Sequence, residues 1–248
     1  MTDLVSLKKY RKCLILRSVT WDYRHINDVM HVAVIGATGA TGRQVVQQSL
    51  TRKWSVTVIV RNQDSFKDIV DENLKVIVGD VYDTTSLRGA FQGCDAVLSC
   101  LGPRGLSNLL PWANVDIYSE PLRCTVQAMN NTHGLNRLVL LTGACTKASP
   151  QNPFLFEWVL KPIIRAPVAD MVRAEDFLES EECANINYTV AKPKNLTDGP
   201  MTEIDLVTAE GQYAEGPSFI SRADVAKFML NCVEKETWKR KLVAISVP

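Results

Sequence analysis

His31-Val-Ala-Val-Ile-Gly36-Ala-Thr-Gly39-Ala-Thr-Gly42-Arg43 is the stretch on which the fold of this chain turns. A β-branched run stops at a glycine, glycines recur at every third position, and Arg43 to Leu50 places Val45, Val46 and Leu50 among polar residues as a helix would. A strand, a glycine turn and a helix therefore follow one another. Glycines permit the tight turn and let a phosphate approach the backbone. The helix that opens there offers unsatisfied N–H groups and the positive end of its dipole. The spacing is Gly-x-x-Gly-x-x-Gly and no Gly-Lys-Ser/Thr follows, which excludes an ATP-binding P-loop.

Further apolar runs succeed the first: Val56–Val60, Val76–Val78, Ala96–Leu98 and Leu138–Leu141, with helical patterns near 85–91 and 114–132 between them. Continuous rather than alternating apolar runs indicate strands buried on both faces. Strands alternating with helices indicate a parallel sheet with right-handed crossovers. The pattern predicts an α/β fold, a doubly wound parallel sheet of Rossmann type in a single domain. Beyond residue 145 come a proline-punctuated segment with large apolar groups at 154–164, a helix near 168–182 and a sixth strand near 186–191. A short strand near 205–213, a helix from Ser221 to Val233 and a last strand, Leu242–Val247, complete the chain. The domain is read as 31–248, substrate-side C-terminal elements included, behind an N-terminal arm of residues 1–30 that the fold does not need. The arm carries Lys8, Lys9, Arg11, Lys12, Arg17 and Arg24. Its basic character also fits a mitochondrial presequence, and Met30 stands where translation of the whole domain could also begin.

The end of the second strand distinguishes the dinucleotides. An acidic residue there accepts the ribose 2′-hydroxyl of NAD. Val60-Arg61-Asn62 stands there instead, and Arg61 suits a 2′-phosphate, so NADP(H) is expected. Asp80 and Val81 end the third strand, Leu101-Gly102-Pro103-Arg104 the fourth and Thr142-Gly143 the fifth. Open α/β sheets bind ligands at this carboxyl edge.

The 248 residues include 28 Lys plus Arg and 27 Asp plus Glu, with 46% hydrophobic residues. That balance excludes a disordered chain and a dedicated nucleic-acid binder. No apolar run approaches the ~18–20 residues of a membrane helix. The seven cysteines form no Cys-x-x-Cys and do not group with the three histidines. This argues against a metal site and for a reducing, cytoplasmic location. A monomer is expected.

The combination of Gly36–Gly42, Val60-Arg61, Val78-Gly-Asp-Val81, Leu101-Gly102 with Arg104, and Ile220-Ser-Arg-Ala-Asp-Val-Ala226 resembles the atypical short-chain dehydrogenase/reductases with an NAD(P)H-binding, NmrA-like domain. Within them the chain looks most like the flavin and biliverdin reductases. The resemblance implies that Thr38, Gly39, Thr41 and Gly42 hold the pyrophosphate, with Gly36 and Ala40 in the same cofactor-binding loop. It implies that Arg61 takes the 2′-phosphate, and Asp80 with Val81 the adenine. Leu101, Gly102, Arg104 and Thr142 then border the nicotinamide side, and Pro193, Lys194, Asn195 and Leu196 close over it. One departure is Gly143, where those reductases carry a serine linked to substrate handling.

Tyr188-Thr-Val-Ala-Lys192 imitates the Tyr-x-x-x-Lys pair of many short-chain dehydrogenases. That pair needs a helix, whose i and i+4 Cβ atoms lie roughly 5–6 Å apart. Tyr188 sits in a β-branched run ending at Pro193, and four strand residues span about 13 Å. Without the dyad, hydride transfer to a planar conjugated acceptor asks least of the protein, namely orientation and exclusion of water. The acceptor classes are flavin, quinone and tetrapyrroles such as biliverdin. Thr142, Cys145 and Thr146 are the candidate proton donors beside the fifth strand, and each also reads as a packing residue. Asp170 and Arg173 read as a surface ion pair. The competing reading is a non-catalytic NADP(H)-binding redox sensor or assembly factor.

Overall fold

The β-branched runs become the buried middle of a parallel sheet. The computed structural model describes residues 29–103, 105, 110, 112–144, 146, 161–211 and 213–248. β1 (His31–Ile35) pairs in parallel with β2 (Ser55–Val60) on one side and β4 (Ala96–Ser99) on the other, so that Val32 is matched to both Val56 and Ala96. β3 (Leu74–Val78) extends the sheet beyond β2. β5 (Arg137–Leu141), β6 (Asn187–Pro193) and β10 (Lys241–Ser246) extend it beyond β4. β8 (Val207–Glu210) closes that side as an antiparallel edge. The order is β3-β2-β1-β4-β5-β6-β10-β8, and its first six positions are those of a dinucleotide-binding sheet. β7 (Asn195–Thr197) and β9 (Phe219–Ser221) form a separate two-stranded parallel ribbon.

Among the described residues five helices of seven residues or more cover the faces: α1 (Ala40–Thr51), α2 (Thr84–Ala90), α3 (Ser119–Asn130), α4 (Arg165–Leu178) and α5 (Arg222–Glu234). α1 packs on α5, while α2, α3 and α4 lie in a row. Beneath that row Ala33, Ile35, Val97, Leu138 and Leu140 join Leu87, Val126, Ala174 and Leu178 in one core. Their strand neighbours Val32, Val34, Leu98 and Val139 are also fully buried and point to the opposite face, as the two-residue period of a strand requires.

Several boundaries differ from the sequence reading for local reasons. Residues 114–118 are not helical, because the buried Asp170 of α4 accepts hydrogen bonds from Tyr118 N and Ser119 Oγ and pins the start of α3 there. α4 begins at Arg165 and includes Pro167, whose missing N–H has no partner to lose in a first turn. It ends at Leu178, and a 3₁₀ turn, Glu181–Cys183, takes up the rest of the expected helix. The Ser-Arg-Ala-Asp landmark is a helix start. Ser221 Oγ accepts from Asp224 N, and the buried Asp224 accepts from Ser221 Oγ and from Thr202 N and Oγ1. Most of the apolar segment 154–164 lies outside the described residues.

The amino edge of the sheet is held by two arginines. Buried Arg137 donates to Asn187 O (2.6 Å), Thr189 Oγ1 (2.8 Å), Cys232 O (2.8 Å) and Thr237 O (2.9 Å). It thereby ties β5 and β6 to the end of α5. Arg240 donates to Cys183 O and Ile186 O and stacks 5.1 Å from the Tyr188 ring. Replacing Arg137 with Met strands several buried acceptors. Urea unfolding of Arg137→Met is expected to show a loss of about 3 kcal/mol. Dinucleotide affinity should be unchanged, since Arg137 begins β5 at the edge opposite the glycine loop.

Candidate functional site

The turn after β1 is built by close backbone approach. Gly36 has φ +74°, and a Cβ there would stand 2.7 Å from the carbonyl carbon and oxygen of Cys100. A Cβ on Gly42 would stand 2.3 Å from Gly36 O. Gly39 N donates to Gly36 O at 3.0 Å, and Arg43 N to Gly39 O at 2.9 Å. Gly39 is the N-cap of α1 with no side-chain cap, and the first turn carries no acid. The first N–H groups of α1, at Ala40, Thr41 and Gly42, therefore point out of an uncapped helix end. Thr38 and Gly39 are partly exposed, Ala40 is exposed and Thr41 is buried. A backbone cradle that admits no Cβ, facing open helix donors, fits a pyrophosphate.

The other expected cofactor residues follow successive strands along the same edge. Arg61, after β2, is exposed and makes no hydrogen bond among the described residues. Asn62 Oδ1 caps the 3₁₀ turn Gln63–Phe66 that comes next. Arg43, which the sequence reading passed over, grips that turn: it donates to Ser65 O (2.6 Å) and Asp68 Oδ2 (2.7 Å) and lies over Phe66. The hydrogen bond from Arg43 holds the Asp68 carboxyl below its usual range. Asp80 is exposed, and one of its oxygens accepts from Tyr82 N; Val81 packs on the core. Gly79 lies so close to α2 that a Cβ would meet Ser86 Oγ at 2.2 Å. Leu101, Gly102 and Pro103 are partly buried after β4, and the Tyr118 hydroxyl approaches Gly102. Arg104 lies outside the described residues.

At the end of β6, buried Pro193 accepts from Ala144 N. Lys194 turns to Gly216 O and the Tyr213 ring, and burial lowers its pKa. Asn195 bonds Ser218 O through both its backbone and its side chain, and Leu196 pairs with Ile220 in the small ribbon. The strap Pro193–Leu196 is thus anchored by residues 213–220.

Beside the fifth strand the structure revises the expected proton donors. Thr142 Oγ1 donates to Glu175 Oε1 and Thr146 Oγ1 to Glu175 Oε2, both at 2.9 Å. Lys192 Nζ binds Glu175 Oε1 and Thr146 Oγ1. Lys192 is 0% exposed and Glu175 2% exposed. With both hydroxyl hydrogens drawn into the Glu175 carboxylate, Thr142 and Thr146 have no proton directed at a reacting atom. Cys145 lies outside the described residues. Burial pushes the thiols of Cys94 and Cys100 up to about 12 and that of Cys232 up to about 11, so these three are not nucleophiles at neutral pH.

Lys192 and Tyr188 lie on β6, with Tyr188 against Arg240 and Lys192 against Glu175, so they form no dyad. Sequence reasoning missed Glu175. Its signal was a lysine inside a strand buried on both faces, which demands a counter-charge. Asp170 also departs from expectation. Its side chain is 0% exposed, whereas that of Arg173 is 53% exposed, so the pair is no simple surface bridge.

Removing one member of the buried pair leaves the other uncompensated. Lys192→Met is expected to destabilise the protein by about 3–5 kcal/mol in urea unfolding. The double variant Lys192→Met/Glu175→Gln should recover more than half of that loss. Gly42→Ala drives a Cβ into Gly36 O and is expected to weaken dinucleotide binding at least about tenfold in a fluorescence titration.

Comparison with known proteins agrees with this geometry. A family model described as NAD(P)H-binding matches residues 36–236. An uncharacterised chloroplastic protein of Arabidopsis thaliana is 28% identical over 224 residues, 86% of this chain and 75% of that protein. The chloroplastic divinyl chlorophyllide a 8-vinyl-reductase of Arabidopsis is 24% identical, with 88% of this chain matching 54% of its length. The photosystem II assembly factor Ycf39 of Synechocystis is 24% identical, with 86% of this chain matching 61% of its length. The chain thus spans little more than half of those last two proteins. Solved structures with the same fold include an anaerobilin reductase of Escherichia coli O157:H7 (TM-score 0.67, 19% identity, 88% of this chain and 98% of that one). Another, from Streptococcus pneumoniae, is described as an NADH-flavin reductase (TM-score 0.66, 22% identity, 88% of this chain and all of that one). With its phosphate cradle, sheet order and family match in agreement, the chain belongs to the NAD(P)H-binding family.

Proposed function

We propose that this protein is an NADPH-dependent reductase that transfers hydride to a planar conjugated acceptor, a flavin, quinone or tetrapyrrole. The observation that carries the reading is the Glu175 network. Among the described residues the Thr142 and Thr146 hydroxyls, beside the nicotinamide half of the edge, are placed to donate to a buried carboxylate rather than to a simple carbonyl substrate. A conjugated ring delocalises the charge that arrives with hydride and can take its proton from water. The vinyl reductase, the anaerobilin reductase and the flavin reductase are named for such acceptors, which supports the class without choosing within it.

In this mechanism the cofactor supplies hydride, and the chain binds, orients and excludes water. The N-terminus of α1 and the Gly36–Gly42 turn would hold the pyrophosphate. Arg61 would pair with the 2′-phosphate, its exposed guanidinium having no hydrogen bond among the described residues. Asp80 and Val81 would meet the adenine. The Thr142 hydroxyl, with its hydrogen on Glu175, presents oxygen lone pairs and would accept from the nicotinamide carboxamide. We place the protein in the cytosol as a monomer. The five described cysteines are free, as a reducing compartment requires.

The likeness to an assembly factor favours a second reading, a non-catalytic NADP(H)-binding sensor or assembly protein. NADPH oxidation followed at 340 nm with FMN, riboflavin, a quinone and biliverdin separates the two. The reductase reading expects turnover with at least one acceptor. It also expects Arg61→Ala to raise the KM for NADPH about tenfold or more while leaving that for NADH nearly unchanged. Tight NADPH binding with no turnover on any acceptor would establish the sensor reading instead.

A further inference from the structure

Arg43 is the first residue of α1 beyond the glycine turn, and its side chain reaches across to the segment that follows β2. There Nη2 donates to Ser65 O at 2.6 Å and Nη1 to Asp68 Oδ2 at 2.7 Å. The guanidinium lies 5.2 Å from the centre of the Phe66 ring, and Phe66 is itself buried. A planar fork that spans two acceptors and covers an aromatic face is a task for arginine, not lysine.

Further hydrogen bonds carry this grip to Arg61. Ser65 N donates to Asn62 O at 3.2 Å, and Asp64 N to Asn62 Oδ1 at 2.9 Å. Asn62 caps the 3₁₀ turn and follows Arg61 directly. On the other side, Gly79 N donates to Val60 O at 2.9 Å and fixes the residue before Arg61. The backbone of Arg61 is thus held between the sheet and a clamped turn. Its exposed guanidinium makes no hydrogen bond among the described residues.

Stability does not account for the grip. The side chains of Arg43 and Asp68 are 34% and 58% exposed, and ion pairs so open to solvent contribute little to folding. Location does account for it. Arg43 follows Gly42 of the phosphate turn and holds the turn beside Arg61, so one side chain sets the separation of the two places that phosphates would occupy. In NADP(H) the pyrophosphate and the 2′-phosphate are joined through one ribose, and that short span tolerates little error. An arginine whose backbone is already placed also loses less freedom when it meets its phosphate.

We infer that Arg43 is a positioning residue for NADP(H) selectivity: it clamps the 63–68 turn and so holds Arg61 where the 2′-phosphate of a dinucleotide seated on α1 arrives. The Arg43 charge is matched by Asp68, and the phosphate is left to Arg61. This role rests on the NADP(H) reading of Arg61 proposed above and requires nothing of the catalytic step.

The dissociation constants of NADPH and NADH, measured by nicotinamide fluorescence, test it through their ratio, in which damage common to both cofactors cancels. Wild type, Arg43→Met, Arg61→Ala and the double variant form a cycle. Arg43→Met is expected to lower the preference for NADPH about fivefold or more in the wild-type chain, and less than about twofold in the Arg61→Ala chain. Arg43→Lys, which can reach one acceptor but not span both, should fall between wild type and Arg43→Met. Asp68→Ala separates position from charge. It removes a carboxylate from beside the proposed phosphate, so a role of Arg43 through charge alone would raise the preference, whereas loss of the clamp lowers it. An unchanged preference in Arg43→Met, an equal loss in both chains, or a rise in Asp68→Ala would overturn the positioning role and leave the Arg61 assignment standing. A wild type without preference, or a preference that Arg61→Ala leaves intact, would refute the NADP(H) reading and the role with it.

Discussion

Everything at the functional edge depends on how closely the turn after β1 meets the end of β4. Gly36 lies against the Cys100 backbone and Gly42 against the Gly36 carbonyl, and neither approach leaves room for a Cβ. These contacts set the start of α1 directly over the switch point of the sheet, where crossovers leave β1 and β4 in opposite directions and a crevice opens. Any side chain there would move the helix away from the crevice and take its open N–H groups out of reach of a phosphate. The loop therefore serves fold and binding through the same atoms.

The two edges of the sheet divide the remaining labour. At the amino edge Arg137 and Arg240 satisfy backbone carbonyls from four separate segments. At the carboxyl edge polar groups are of two kinds. Arg61 and the first turn of α1 face outward with donors to spare. Glu175, Lys192, Thr142 and Thr146 face one another and are sealed from water. That sealed group orients the strand ends, and it converts two hydroxyls that look like proton donors into acceptors.

α4 links the two halves of the edge. It carries Glu175 toward β5 and β6, and Asp170 toward the start of α3. Arg173 projects from the same helix into a cavity beside Ala113. One helix thus braces the strand ends and caps a neighbouring helix. These duties are compatible because Asp170 and Arg173 share one face, a turn apart, while Glu175 points from another.

The sequence alone determined the sheet, the phosphate turn and the strand ends that bear candidate cofactor residues. Those features depend on local facts: β-branched runs, glycines at a fixed spacing, and an arginine where an acid would mark NAD. It also showed that Tyr188 and Lys192 could not be a dyad, since strand geometry separates them. Only the tertiary structure decided what Lys192, Thr142, Thr146 and Asp170 do. Glu175 lies 17 residues from Lys192 and 33 from Thr142, and Asp170 lies 51 from Ser119. A hydroxyl's polarity and a carboxylate's burial are set by partners that the chain brings together only when the crossovers close over the sheet, and spacing along the sequence carries no record of that.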